Sequence, residues 1–409
     1  MTNPLLQASA LPNFDQIKTE HVEPAIDQIL QDNRNKIDQL TQLEEVSWES
    51  LARPMEELDN RLNDAWSAVS HLNAVVNDEA LREAYNNGLA KITAYSTEVG
   101  QNKALYQAYK ALSESSEFAS FDQQSKKAIE NILKAFHLSG VDLDEDKKVR
   151  FTEISKRLSE LTSKFSENVL DATQGWYKHI ENEDVLAGLP STALDGAKQA
   201  AEQRKLEGFV ITLDFPSYFP LMTYCDNREL RREVYEAFLT RASDQGPNAG
   251  KWDNGPLIKE IMALRYELAQ ILGFNNYAER SLAKKMASST DEVLGFLNEL
   301  AGKTKPVAEK EVSELKEFAN ASGQSGDVQS WDVGYFGEKL RQHRYSISQE
   351  ELRPYFPAKH VIKGMFDCVH RLFNIDIELS TEASVWDSDV TFYNIKRNGQ
   401  HIASFYLDP

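Results

Sequence analysis

Met55-Glu56-Glu57-Leu58-Asp59-Asn60-Arg61-Leu62-Asn63-Asp64-Ala65-Trp66-Ser67-Ala68-Val69-Ser70-His71-Leu72 decides the fold class. Met55, Leu58, Leu62, Ala65, Trp66, Val69 and Leu72 recur mostly at steps of three and four, with charged and amide residues between them. That spacing lays one apolar stripe down one face of a helix. Upstream, Val22, Ile26, Ile29, Leu30, Ile37 and Leu40 repeat it, with Pro24 placed in a first turn that tolerates proline. Downstream, Ile154, Leu158, Leu161, Phe165 and Val169 do the same. Ser289 and Glu292 read as a capping box ahead of Val293, Phe296, Leu297 and Leu300. Stripes this long signify core packing rather than a cofactor site, so the chain reads as mainly α.

The breaks are few. Ser139-Gly140 through Asp146 is a short acidic turn, Gly188 to Ser191 ends a unit, and Ser243 to Gly255 and Ala321 to Ser330 are polar, glycine-bearing loops. The period changes near the end. Ile375, Ile377 and Leu379 alternate with Asp376 and Glu378 as a half-buried strand does, and Val390 to Ile395 is β-branched and aromatic. Asn398-Gly399 then supplies a type I′ hairpin turn, and His401 to Leu407 returns as its second strand. The expected organisation is a helical region over 1–190, a second over 191–373 and a β-hairpin over 374–409 that begins a small sheet. Phe405-Tyr406-Leu407-Asp408-Pro409 ends inside an apolar strand, which leaves an edge unpaired; further polypeptide is expected after Pro409.

Composition narrows the partners. The 409 residues carry 45 Lys+Arg against 64 Asp+Glu, a net charge of -19, which repels phosphate backbones and anionic lipid. Neither nucleic acid nor a membrane is expected as a partner. No apolar run reaches spanning length, and Met1 to Asp15 lacks the pattern of a signal peptide. Two distant cysteines, Cys225 and Cys368, fit a reducing cytoplasm.

Chemistry-bearing motifs are missing. The eight histidines are His21, His71, His137, His179, His343, His360, His370 and His401, and no two stand at i and i+4, as a helical zinc site requires. H-E-x-x-H does not occur. Asp367 and His370 lie one turn apart beside Cys368, but nothing in the sequence completes a metal site there. His401 on the last strand reads as structural. Gly302-Lys303-Thr304 resembles the end of a phosphate-binding loop, yet Leu297 stands where that motif needs glycine. No catalytic, substrate-binding or metal residue is assigned from spacing.

Long blocks, in order, resemble the thimet oligopeptidase family of zinc metallopeptidases. They include Leu11-Pro12-Asn13-Phe14, His21-Val22-Glu23-Pro24-Ala25, Leu213-Asp214-Phe215-Pro216-Ser217-Tyr218 and Asn227-Arg228-Glu229-Leu230-Arg231. Asn254-Gly255-Pro256-Leu257-Ile258, Asn276-Tyr277-Ala278-Glu279, Trp331-Asp332, Glu351-Leu352-Arg353-Pro354-Tyr355-Phe356-Pro357 and Phe405-Tyr406-Leu407-Asp408 continue the series. The resemblance implies the amino-terminal part of a helical, two-lobed channel enzyme that hydrolyses short peptides with zinc-activated water. It also implies that zinc and its ligands belong to polypeptide beyond Pro409, so this chain alone is expected to bind no zinc and to be inactive. The alternative is a non-catalytic helical module that binds peptides or a partner.

Overall fold

The computed structural model describes residues 3–7, 9 and 11–408; Pro409, on which the expectation of further chain rests, lies outside them. The helices are α1 (Thr19–Leu40), α2 (Arg53–Val75), α3 (Glu79–Gly100), α4 (Lys103–Ser113), α5 (Ser116–Ser120), α6 (Gln123–Leu138), α7 (Glu145–Gln174) and α8 (Ser191–Gln203). They continue with α9 (Phe215–Tyr224), α10 (Arg228–Leu239), α11 (Gly255–Ile271), α12 (Tyr277–Leu282), α13 (Thr290–Ala321), α14 (Ser330–Tyr345), α15 (Gln349–Leu352) and α16 (Ala358–Phe373). The strands are β1 (Tyr177–Ile180), β2 (Phe209–Thr212), β3 (Asp376–Ser380), β4 (Thr391–Arg397) and β5 (Gln400–Leu407). The fold is mainly α with small antiparallel sheets.

Two compact units emerge. Unit 1 comprises Met1–Leu161, Leu264–Lys284 and Ile362–Pro409; unit 2 comprises Thr162–Ala263 and Lys285–Val361.

In unit 1 the stripes of α1 and α2 are the core. Val22, Ile26, Ile29, Leu51, Leu105, Leu112 and Ile129 are completely buried, each side chain contributing about 1.5–3 kcal/mol of transfer free energy. Gly88 on α3 lets that helix approach closely: a Cβ there would stand 2.8 Å from the Trp66 ring, which stacks on Tyr85 at 4.9 Å. The Arg150 guanidinium of α7 grips Glu267 of α11 at 2.6 and 2.8 Å, beside the small cluster of Phe151, Ile154 and Leu268. The sheet has order β3-β4-β5. Asn398 and Gly399 take φ of 52° and 77°, as the hairpin reading requires. Cross-strand pairs Phe392–Tyr406 and Tyr393–Phe405 sit on opposite faces. The first pair meets Phe14 and Trp386; the second receives Phe366 of α16 edge-on.

In unit 2, β1 and β2 pair antiparallel, Tyr177 opposite Thr212, over a cluster that includes Leu186, Ile211, Leu213, Leu221 and Val234. This sheet corrects the expectation that strands begin only after residue 373. Each strand is only four residues long, and they are separated by α8, so neither turn spacing nor a long alternation marks them.

Two local readings also shift. Helix α1 begins at Thr19, so Pro24 lies inside it rather than in its first turn; this deprives only the Glu20 carbonyl, in the first turn, of its helical partner. At α13 the Ser289 hydroxyl accepts from the Glu292 N–H at 3.1 Å, but Glu292 reaches back to Ser288, not to Ser289.

Candidate functional site

His21, His71, His137, His179, His370 and His401 make local contacts. His21 Nδ1 accepts the Lys18 N–H at 3.1 Å and caps α1. His71 packs edge-on against Trp386 with ring centres 4.0 Å apart. His137 bonds Asp142, and His179 Nε2 donates to the Glu207 carbonyl at 2.6 Å. His370 Nδ1 faces the Ile375 carbonyl and the Asp376 carboxylate at 3.1 and 2.9 Å. On the sheet, the Ser404 hydroxyl donates to Asn394 Oδ1 at 2.8 Å and accepts from His401 Nε2 at 2.7 Å. A hydroxyl has one proton, so the network assigns a proton to His401 Nε2. Among the described residues no group of three or more His, Cys, Asp or Glu side chains is placed to hold a metal ion. A catalytic zinc needs three protein ligands; the His137–Asp142 and His370–Asp376 pairs supply two each. The donors present do not fit that metal.

What the resembling blocks do is visible in unit 2. Asp332, fully buried at the start of α14, receives Arg231 Nη2 at 2.9 Å and Arg228 Nη2 at 2.7 Å, both from α10. Arg231 is 1% exposed and also donates to the Cys225 carbonyl at 2.6 Å. Its guanidinium lies over the Tyr335 ring at 4.1 Å. Burial works to raise the Asp332 carboxyl pKa. The hydrogen bonds from Arg228, the Gln329 N–H and Arg231 outweigh it and hold the pKa below the ordinary carboxylate range. Arg228 is raised in turn, chiefly by its bond to Asp332. The Asn227–Arg231 block and the Trp331-Asp332 block are therefore two halves of one ionic lock. Sequence reading missed it, although a signal existed. Arg231 shares the buried face of α10 with Leu230, Val234 and Ala237, and a charge on such a face requires a partner.

Each unit also presents apolar surface with nothing against it. In unit 1, Ile362, Phe366 and Val369 of α16 are partly covered, while Met365, Leu372 and Phe373 are 50%, 74% and 62% exposed. The helix is apolar on two sides and covered on one. Leu379 of β3 is exposed as well, while Ile375 and Ile377 on the same face are partly buried as the alternation implied. In unit 2, Leu294, Phe296, Leu297, Leu300, Val307 and Val312 of α13 are all exposed; burial begins only at Leu315, against Phe336. Monomeric proteins rarely leave apolar surface this extensive in water.

Comparison with known families matches the description "Peptidase family M3" to residues 221–409 and "Neurolysin/Thimet oligopeptidase, N-terminal domain" to residues 26–148. The chain belongs to peptidase family M3. M3 relatives align along all of it. Oligopeptidase A of Haemophilus influenzae is 52% identical over 409 residues, that of Escherichia coli 48% over 410, and the organellar oligopeptidase A of Arabidopsis thaliana 38% over 419. Each alignment covers 100% of this chain but only 60%, 60% and 52% of the relative. This M3 chain thus spans about 60% of the length of the bacterial relatives.

Proposed function

We propose that these 409 residues are the scaffold of an M3 oligopeptidase whose whole form hydrolyses short peptides with a zinc ion. The zinc ligands and the base come from polypeptide beyond residue 409. The observation that carries the reading is the 52% identity along the full chain with an oligopeptidase A that is longer by a large remainder, joined to a sequence without H-E-x-x-H. The uncovered faces of α13 and α16 support it, because apolar stripes of that size are complementary to further packed chain. In this reading the ionic lock and the helical core hold the shape of a peptide-admitting channel, and no residue here touches the reacting bond. Short, unstructured peptides are the proposed substrates.

The proposed compartment is the cytoplasm. Its support is two free cysteines, one buried at position 225 and one exposed at position 368, and the absence, among the described residues, of any helix long and apolar enough to cross a membrane.

The test is to express the complete reading frame from its source and measure zinc by elemental analysis alongside cleavage of a quenched fluorescent peptide. One zinc per chain and chelator-sensitive cleavage are expected. Cleavage that survives exhaustive chelation, or a reading frame ending at residue 409 with full activity, overturns the proposal.

A further inference from the structure

The sequence holds three Asn-Gly pairs, Asn87-Gly88, Asn254-Gly255 and Asn398-Gly399. Such a pair is chemically reactive. Glycine has no Cβ to shield its backbone nitrogen, so that nitrogen can attack the side-chain amide carbon of the asparagine before it. The fold treats the three pairs differently. Gly88 is buried within α3, where its N–H belongs to the helical ladder, and Asn87 Nδ2 donates to Glu23 Oε1 at 3.0 Å. Asn254 is 3% exposed; its Oδ1 accepts from Asn168 at 2.8 Å and its Nδ2 donates to the Phe165 carbonyl at 3.1 Å. The Gly255 N–H is taken by Asp253 Oδ1 at 2.8 Å. In both pairs the attacking nitrogen and the amide it would attack are tied down.

Asn398-Gly399 has none of these restraints. Both residues are exposed at the tip of the β4–β5 hairpin. The Asn398 side chain and the Gly399 N–H hold no hydrogen bond among the described residues, and a Cβ on Gly399 would meet nothing within 4 Å. The turn closes through the Arg397–Gln400 pair and leaves the N–H of its central glycine unused. The backbone conformation that makes the hairpin therefore also frees the reactive nitrogen.

We propose that Asn398 is a site of spontaneous deamidation, and that its main product, an isoaspartyl residue, loosens the hairpin. Gly399 N gives its proton to base and bonds to Asn398 Cγ; the Cγ–Nδ2 bond breaks and Nδ2 leaves as ammonia, closing a succinimide ring. Water then adds to one of the two ring carbonyls. Opening the bond from Gly399 N to Cγ gives an aspartyl residue. Opening the bond from Gly399 N to the backbone carbonyl carbon gives the isoaspartyl form, whose main chain runs through the former side chain and is one carbon longer. An aspartyl suits this turn as asparagine does. The added carbon does not, because loop length fixes hairpin register. The nearest pairs, Arg397–Gln400 and Lys396–His401, part first. Water is the only co-reactant, and the proposal is independent of peptide hydrolysis.

The test is to incubate the folded 409-residue chain at mildly alkaline pH and map it by trypsin and mass spectrometry, which puts the three pairs on separate peptides, 83–91, 252–259 and 398–409. Peptide 398–409 should gain the mass of an amide-to-acid exchange at least about tenfold faster than the other two. The isoaspartyl form should exceed the aspartyl, as electron-transfer fragmentation distinguishes them. In urea the three peptides should convert at comparable rates. Equal conversion in the folded chain, an unconverted 398–409 peptide, or the same preference in urea overturns the assignment. Hydrogen exchange over 394–404 should speed up in the converted chain and stay unchanged in Asn398→Asp; equal exchange before and after conversion overturns the loosening.

Discussion

Replacing Asp332 with alanine tests the ionic lock. The substitution leaves Arg231, 1% exposed, with no counter-charge. Breaking a buried pair by removing one partner costs about 3–5 kcal/mol. Alanine also removes the acceptor for the Gln329 N–H at 3.0 Å, a helix-start contact worth about 1 kcal/mol. Arg228 is a third exposed, so its share is small. The expected loss is about 4–6 kcal/mol, read as a drop of more than about 1 M in the urea midpoint. Trp331, whose ring lies 6.0 Å from the Arg228 guanidinium, reports unit 2 by fluorescence. Removing the charges together, as Arg231→Met with Asp332→Leu, should recover a large part of that loss, because no charge is then stranded. A loss below about 1 kcal/mol for the alanine variant, or a double variant no better than the single, would refute the reasoning.

Three further outcomes follow from the same structure. The Asp332 pKa is depressed in the fold, so its contribution is full above the unfolded carboxylate value and is lost as pH falls through the lower folded one. Acid titration of stability below about pH 4 should be shallower for Asp332→Asn than for the unaltered chain; parallel curves would contradict the assignment. Gly88→Val should destabilise unit 1 by about 1–3 kcal/mol through overpacking against Trp66, measured by thermal unfolding; an unchanged midpoint would show that the ring moves aside freely. The chain should self-associate through the exposed stripes of α13 and α16, and Met365→Glu with Leu372→Glu should reduce it. A monodisperse monomer in sedimentation velocity at tens of micromolar would count against this.

Much of the fold was legible because its elements are long and periodic. The stripes of α1, α2 and α7 fell where the sequence put them, and the loops at 243–255 and 321–330 separate α10 from α11 and α13 from α14. The Asn398-Gly399 turn carries its own backbone requirement, so β4 and β5 were readable from two residues. The β1–β2 pair was not, because its register depends on contacts across α8 rather than on neighbours in sequence. The surface of α16 illustrates a different limit. Spacing shows that Met365, Leu372 and Phe373 are apolar and helical; only coordinates show that the sheet covers the other side. As for a site, the sequence assigned no residue; His21, His137, His179, His370 and His401 make local hydrogen bonds. Two of the resembling blocks turned out to meet in one joint, Arg228 and Arg231 on Asp332.

The most direct test is to incubate the purified 409-residue chain with a quenched fluorescent peptide, with added zinc and with a chelator in parallel. The account predicts no cleavage above buffer in either arm and no zinc retained after gel filtration. Zinc held in stoichiometric amount, together with cleavage that the chelator abolishes, would contradict it.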